Sequence, residues 1–194
     1  MMLPSAPYRL LALGCLAAFA LGGPTAAPSD AVGSGKPGPN PLYKLAVTLR
    51  QSSSSPPTVV VTVTNRNKFP VTMVSYQSPL DGLALALGQL SMTPAGSKKP
   101  LELRRVAVKR VWPPPEDALV VVQPGASVTN HLVMEEPTVP MDKLGKRATV
   151  VLGGEWMAVW PRPRSQVSKS DIENASESAF QGPFSTRPLE IEVE

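Results

Sequence analysis

Cysteine is almost missing from this chain: one residue in 194, Cys15, lies inside an apolar run near the amino terminus. If that run is removed on export, the remaining domain has no disulfide and depends on its core alone. Histidine is equally scarce, with His131 alone. A catalytic zinc site takes three protein ligands, usually with two or more histidines among them, so this chain has too few. Ser-His and Cys-His nucleophile sets fail for the same want of partners, and the sequence has no G-x-S-x-G. No glycine-rich phosphate loop opens a helix-like stretch. Aromatic residues make up 5% of the chain, and the formal charge is only +4, too weak for a nucleic-acid footprint. No second long hydrophobic run follows the first, so no membrane span or lipid-anchor tail is expected downstream.

What is present begins with a targeting pattern. Arg9 precedes an apolar run from Leu10 to Leu21, and small residues follow (Gly22, Gly23, Thr25, Ala26, Ala27). A positive start, a short apolar centre and a small-residue exit predict a secretory signal peptide. Ala18-Phe19-Ala20 fits cleavage after Ala20, with a later site as the alternative. The expected organisation is a signal peptide and processing region at 1–27, a flexible Pro/Gly leader at 28–41, and one β-sandwich domain at 42–194. That domain carries a polar insertion at 161–178. The mature protein is expected to be extracellular, with no membrane attachment.

The chain has 23 prolines and 14 glycines, which suits a turn-rich β-protein better than a helical one. Its centre is Thr58 to Leu83, where Val59, Val61 and Val63 alternate with Val60, Thr62 and Thr64. A polar turn (Asn65 to Lys68), a second apolar run (Val71 to Val74) and a Pro-Leu-Asp-Gly corner follow. That pattern predicts two antiparallel strands and a sharp exit. Further strands are expected from Tyr43, over 101–111, 118–122, 127–134, 148–152 and 156–160, and at the alternating end Leu189, Ile191, Val193. Ser52 to Pro57 reads as a loop. Residues 83–92 are ambiguous between strand and helix, and are read as extended. Gly153-Gly154 reads as a two-residue hairpin turn. The sum is an all-β, immunoglobulin-like antiparallel β-sandwich of about eight strands.

The candidate chemistry is thin. His131 falls in an expected strand and reads as a strand residue. Asp81 reads as a corner residue capping backbone amides, with a calcium ligand as the sharper alternative. Glu116-Asp117 and Glu135-Glu136 read as turn and surface carboxylates. Trp112, Trp156 and Trp160 are the candidate binding aromatics: exposed and coplanar they would stack on sugar rings, buried they would pack. Packing is the favoured reading. Asn174-Ala175-Ser176 is an N-glycosylation acceptor sequence, making Asn174 a candidate modified residue. The basic pairs Lys98-Lys99, Arg104-Arg105, Lys109-Arg110 and Lys146-Arg147 read as solvated surface. Of the dibasic sites weighed for processing, Lys146-Arg147 is expected to be more accessible than Lys109-Arg110. No cofactor or metal is expected.

Several short pieces in order carry a resemblance. Val-Thr-Val-Thr-Asn (61–65), Ser-Pro-Leu-Asp-Gly (78–82), Val-Gln-Pro-Gly-Ala-Ser-Val (122–128) and Pro-Leu-Glu-Ile-Glu-Val (188–193) resemble the amino-terminal pro-region of fungal deuterolysin-type zinc metalloproteases. The chain departs from that pattern at Ser78 (where the family usually has threonine), in its long insertion, and in lacking the H-E-x-x-H catalytic region. The resemblance therefore implies a secreted, non-catalytic module similar to a protease pro-domain, binding or inhibiting a secreted metalloprotease. Two alternatives stay open: a cell-wall or polysaccharide-binding protein, and a truncated remnant of a protease precursor.

Overall fold

The computed structural model describes residues 38–194. The expected signal peptide and all but the end of the leader lie outside the described residues. Nine strands form among the described residues: β1 (Leu45–Ser54), β2 (Pro57–Asn65), β3 (Val71–Val74), β4 (Leu90–Pro94), β5 (Leu119–Val122), β6 (Ser127–Val133), β7 (Arg147–Trp160), β8 (Phe180–Ser185) and β9 (Leu189–Glu192). Every pairing between them is antiparallel. One sheet runs β1-β2-β6; the other runs β4-β7-β3-β5, with β8 and β9 also paired to β7. The all-β sandwich expected from the sequence is what forms.

Strand β2 is the spine of the smaller sheet. Val59, Val61 and Val63 are fully buried; Val59 and Val61 join Leu132 of β6 to Leu90, Met92, Val150, Leu152 and Ile191, while Val63 packs with Val71, Met73, Val122, Trp156 and Val159. Burying one such valine contributes about 1.5–3 kcal/mol. The strand stops where Asn65 replaces ladder bonds with its side chain. Its Nδ2 donates to the Phe69 and Val122 carbonyls, both at 2.9 Å, and its Oδ1 accepts from the Asn67 amide. The chain can then leave the sheet without stranding a buried polar group. It crosses to the other layer, so β2 and β3 are not the hairpin that the sequence suggests. β2 pairs with β1 and β6, and β3 with β5 and β7.

Strand β7, at 14 residues, is the spine of the larger sheet. Its first half pairs with β4 and β9, its second half with β3 and β8. Gly153 and Gly154 sit at the handover, inside an unbroken strand, so the expected hairpin turn there is also corrected. Glycine is needed for close approach instead. A Cβ on Gly154 would lie 2.8 Å from the Gln77 carbonyl oxygen and 2.9 Å from the Phe184 ring, besides striking the Gln89 side chain. A Cβ on Gly153 would meet only the Phe184 carbonyl, at 3.6 Å.

Other expectations change locally. The serine-rich stretch is strand up to Ser54, and Pro57 already begins β2, leaving two residues as the turn. Residues 83–88 coil in helical turns, with Leu87 N bonded to Leu83 O, and only Leu90–Pro94 is extended. β8, Phe180–Ser185, carries Gly and Pro in its middle, which mask its strand character in the sequence. Gln51 closes one edge. Its side-chain amide donates to the Glu192 carbonyl at 2.6 Å and accepts from the Glu192 amide at 2.9 Å, standing in for a neighbouring strand on β9.

The insertion at 161–178 folds back as a turn at Arg164–Gln166 and two short helices, α2 (Lys169–Glu173) and α3 (Ala175–Ser178); the other α-helical turn among the described residues is α1 (Met141–Leu144). It covers Trp160 with Val167, Ile172, Ala175 and Ala179. A capping box starts α2: Ser168 Oγ accepts from the Asp171 amide, and Asp171 Oδ2 accepts from the Ser168 amide at 2.8 Å. Burial works to raise the Asp171 pKa, but the Ser168 bonds and the Arg162 charge outweigh it. Its carboxyl therefore sits below its ordinary value of 3.8.

Two outcomes follow. Gly154→Ala should cost about 1–3 kcal/mol by overpacking while Gly153→Ala costs far less, read as the difference in thermal midpoint. The lowered Asp171 pKa gives a stabilising contribution that is complete above the ordinary aspartate range and is lost as pH falls through the folded value. Stability of the wild type relative to Asp171→Asn should thus be constant from neutral pH down to about 4 and shrink below it. Urea melts across that range measure it.

Candidate functional site

The stretch Lys98–Trp112 holds six basic residues and one acid, Glu102, among alternating apolar ones. Its β-branched content predicts a strand, but it forms none. The cause is its neighbour. Leu101 N bonds to Met92 O on the outer edge of β4, at 2.7 Å, and Val106 N bonds to Ala86 O at 2.9 Å. Between these two points β4 has ended and the chain turns at Gly88 with φ +71°, leaving no straight edge to pair with. Strand propensity goes unused where no partner strand is offered.

The result is an extended segment held at its two ends. Among the described residues, Leu101 and Val106 alone of 101–111 donate a backbone hydrogen bond to another main-chain group. A cavity of about 540 Å³ opens between the segment and β4, lined by Leu90, Leu101, Leu103, Lys99, Glu102 and Arg105. Val106, Val108, Val111 and Trp112 are exposed, Val111 to 69%, beside Arg104 and Lys109. An exposed apolar row set among cations, on backbone with unused donors and acceptors, is suited to strand addition by an acidic partner.

The far end of the segment is locked by the Asp81 corner. Asp81 is almost fully buried; its Oδ2 accepts from the Gln77 amide at 2.7 Å and its Oδ1 from the Leu83 amide at 2.9 Å. Arg110 Nη2 reaches both oxygens, at 2.7 and 2.6 Å, and its guanidinium lies 4.4 Å from the centre of the Tyr76 ring. Asn130 of β6 donates to the Pro79 and Asp81 carbonyls, tying the corner to the smaller sheet. The capping role expected of Asp81 is what its bonds describe; its pairing with Arg110, 29 residues away, had no local signal in the sequence.

The candidate tryptophans separate. Trp160 is fully buried under the insertion, its Nε1 donating to Ser178 Oγ at 3.1 Å, and Trp156 is buried against Phe184, ring centres 5.4 Å apart. Neither offers a face to a sugar, which corrects the stacking alternative for these two. Trp112 alone is partly exposed, beside the segment described above. A groove of about 450 Å³ near Trp156 is lined by Leu42, Tyr43, Val47 and Phe184, and Tyr43 there is 89% exposed. In the sequence Tyr43 carries no signal beyond opening a strand. His131 is exposed on β6 opposite Val60. Asn174 is exposed between α2 and α3, its Nδ2 donating to the Ser170 carbonyl at 3.0 Å. Among the described residues no helix is long and apolar enough to cross a membrane.

Removing Arg110 leaves the buried Asp81 carboxylate without its counter-charge. Arg110→Ala should therefore destabilise by about 3–5 kcal/mol, and by clearly less in an Asp81→Asn background, as read by a double-mutant cycle in denaturant.

Comparison with known proteins agrees with this architecture. A family model for an immunoglobulin-like domain matches residues 44–193. An uncharacterized secreted protein of Arthroderma benhamiae is 31% identical over 141 residues, covering 72% of this chain and 70% of the relative. The chain is thus a secreted protein and belongs to the immunoglobulin-like domain family.

Proposed function

We propose that this protein is a non-catalytic binding module that recognises another secreted protein through the basic extended segment Lys98–Trp112. The observation that carries the reading is that segment's unladdered backbone, with Val106, Val108, Val111 and Trp112 exposed beside Arg104, Arg105 and Lys109. A strand of partner polypeptide can add its main-chain bonds there, while acidic side chains answer the cations. The residues a sequence reader would first give chemistry to are occupied structurally. Asp81 is spent on two amides and Arg110, and Glu116 is held by Arg164. The resemblance of the 61–65, 78–82, 122–128 and 188–193 pieces to a deuterolysin pro-region names a secreted metalloprotease as the first partner to test.

Pull-down with a deuterolysin-type metalloprotease, followed by an inhibition assay, tests the reading. Binding at micromolar concentration or tighter is expected, weakening as salt rises and at least tenfold weaker in Arg104→Glu/Lys109→Glu. Absence of binding, or binding indifferent to that charge reversal, overturns it. Pelleting with cell-wall polysaccharide that depends on Trp112 would instead support the carbohydrate-binding alternative.

A further inference from the structure

Four basic pairs occur in the described chain, and the fold treats them very differently. Proteases bind their substrates as extended strands, drawing on main-chain bonds and a pocket for the side chain before the cut. A folded protein is cut where a run of chain can take that form at little cost in local unfolding. Lys98-Lys99 is followed by Pro100, whose ring lacks the amide hydrogen. Its own backbone is also turned, with the Lys99 amide donating to Ser97 Oγ and Ser97 Oγ donating to the Lys99 carbonyl at 2.7 Å. Lys146-Arg147, the pair that looked more accessible in the sequence, is locked into sheet structure. The Lys146 carbonyl accepts from Val193 N, the Arg147 carbonyl accepts from Ala95 N, and Arg147 pairs with Glu192. Lys109-Arg110 is extended, but the Arg110 guanidinium is clamped by Asp81 and stacked on Tyr76.

Arg104-Arg105 is the least restrained of the four: one main-chain bond, from the Val106 amide to the Ala86 carbonyl, is all that must open. Both residues are exposed, and Glu102 to Arg105 donate no main-chain hydrogen bond. The Arg105 side chain lies over Gly88 without an acceptor bond. We infer that the Arg105–Val106 bond is a processing site for a dibasic-specific endoprotease. The cut converts the protein into two chains that stay together.

The step is a plain hydrolysis. Water adds across the peptide bond; its oxygen joins the Arg105 carbonyl carbon as a carboxylate, and nitrogen leaves as the amine of Val106. The two products remain joined because β2 pairs with β6, β3 with β5 and β7, and β4 with β7 across the cut. The cut also falls between the two bonds that hold the segment beside β4. It therefore loosens the strip of chain shielding that strand's outer edge. This inference uses the same segment as the binding reading but does not depend on it.

The test is digestion of the folded full chain with a subtilisin-type endoprotease that requires two consecutive basic residues. Intact mass and amino-terminal sequencing read the products. A new terminus at Val106 should appear at least tenfold faster than any at Val111 or Ala148, and both pieces should co-elute on gel filtration while separating on a denaturing gel. Arg105→Gln should abolish that terminus, and Arg147→Gln should leave it unchanged. A first cut elsewhere overturns the inference. So does resistance of the folded chain when the urea-unfolded chain is cut, or separation of the two pieces under native conditions.

Discussion

A single buried carboxylate governs how the exposed part of this molecule is presented. Asp81 takes two amides of its own corner and the Arg110 guanidinium, while its carbonyl takes Asn130 of β6. Corner, smaller sheet and basic segment thus meet at one residue. Charge-assisted bonds of this kind are short and directional, so they set position as well as energy. Had Arg110 been left in water, the segment would be tethered only at Leu101 and Val106, with its far half free. Ion pairing at one end and an edge bond at the other give an extended conformation with no ladder to support it.

The architecture was readable because burial wrote itself into alternation. Val59, Val61 and Val63 face inward, and the period of two at that stretch has no other explanation. Pairing order was less readable. Gly153-Gly154 fits a hairpin turn, which needs positive φ, and equally fits a close crossing, which needs no Cβ. Both demands select glycine, so the dipeptide alone cannot separate them. The difference lies in Gln77 and Gln89, distant in sequence, which press on Gly154. Asn65 behaves similarly: a polar turn after a strand suggests a hairpin, yet its amide bonds release the chain to the opposite sheet.

The candidate site was legible in its composition and hidden in its geometry. Arg104, Arg105 and Lys109 among valines were visible, but strand propensity hid the lack of a neighbour to pair with. The tryptophans were hidden in the opposite sense. Trp160 is buried because a polar stretch folds over it, and the only trace of that is the spacing of Val167, Ile172, Ala175 and Ala179. Four apolar residues among serines and charges make too weak a stripe to announce two short helices. Their stability comes from the capping box at Ser168 and Asp171 and from Trp160 itself.

Edge protection explains why the basic segment stands out from the rest of the surface. On β9 the exposed edge is closed by Gln51 and lined with Glu190 and Glu192, a solution that uses polar groups alone. Charges on an edge are a common guard against unwanted pairing, and Arg104, Arg105 and Lys109 could serve as one beside β4. A guard, however, has no use for exposed apolar surface, which invites the contacts it is meant to prevent. Val106, Val108, Val111 and Trp112 are exposed in the same strip. Cations keep that strip from joining a like-charged copy of itself, while leaving it attractive to an acidic strand. The combination discriminates between partners by charge, which a guard made only of charges or a patch made only of valines cannot do.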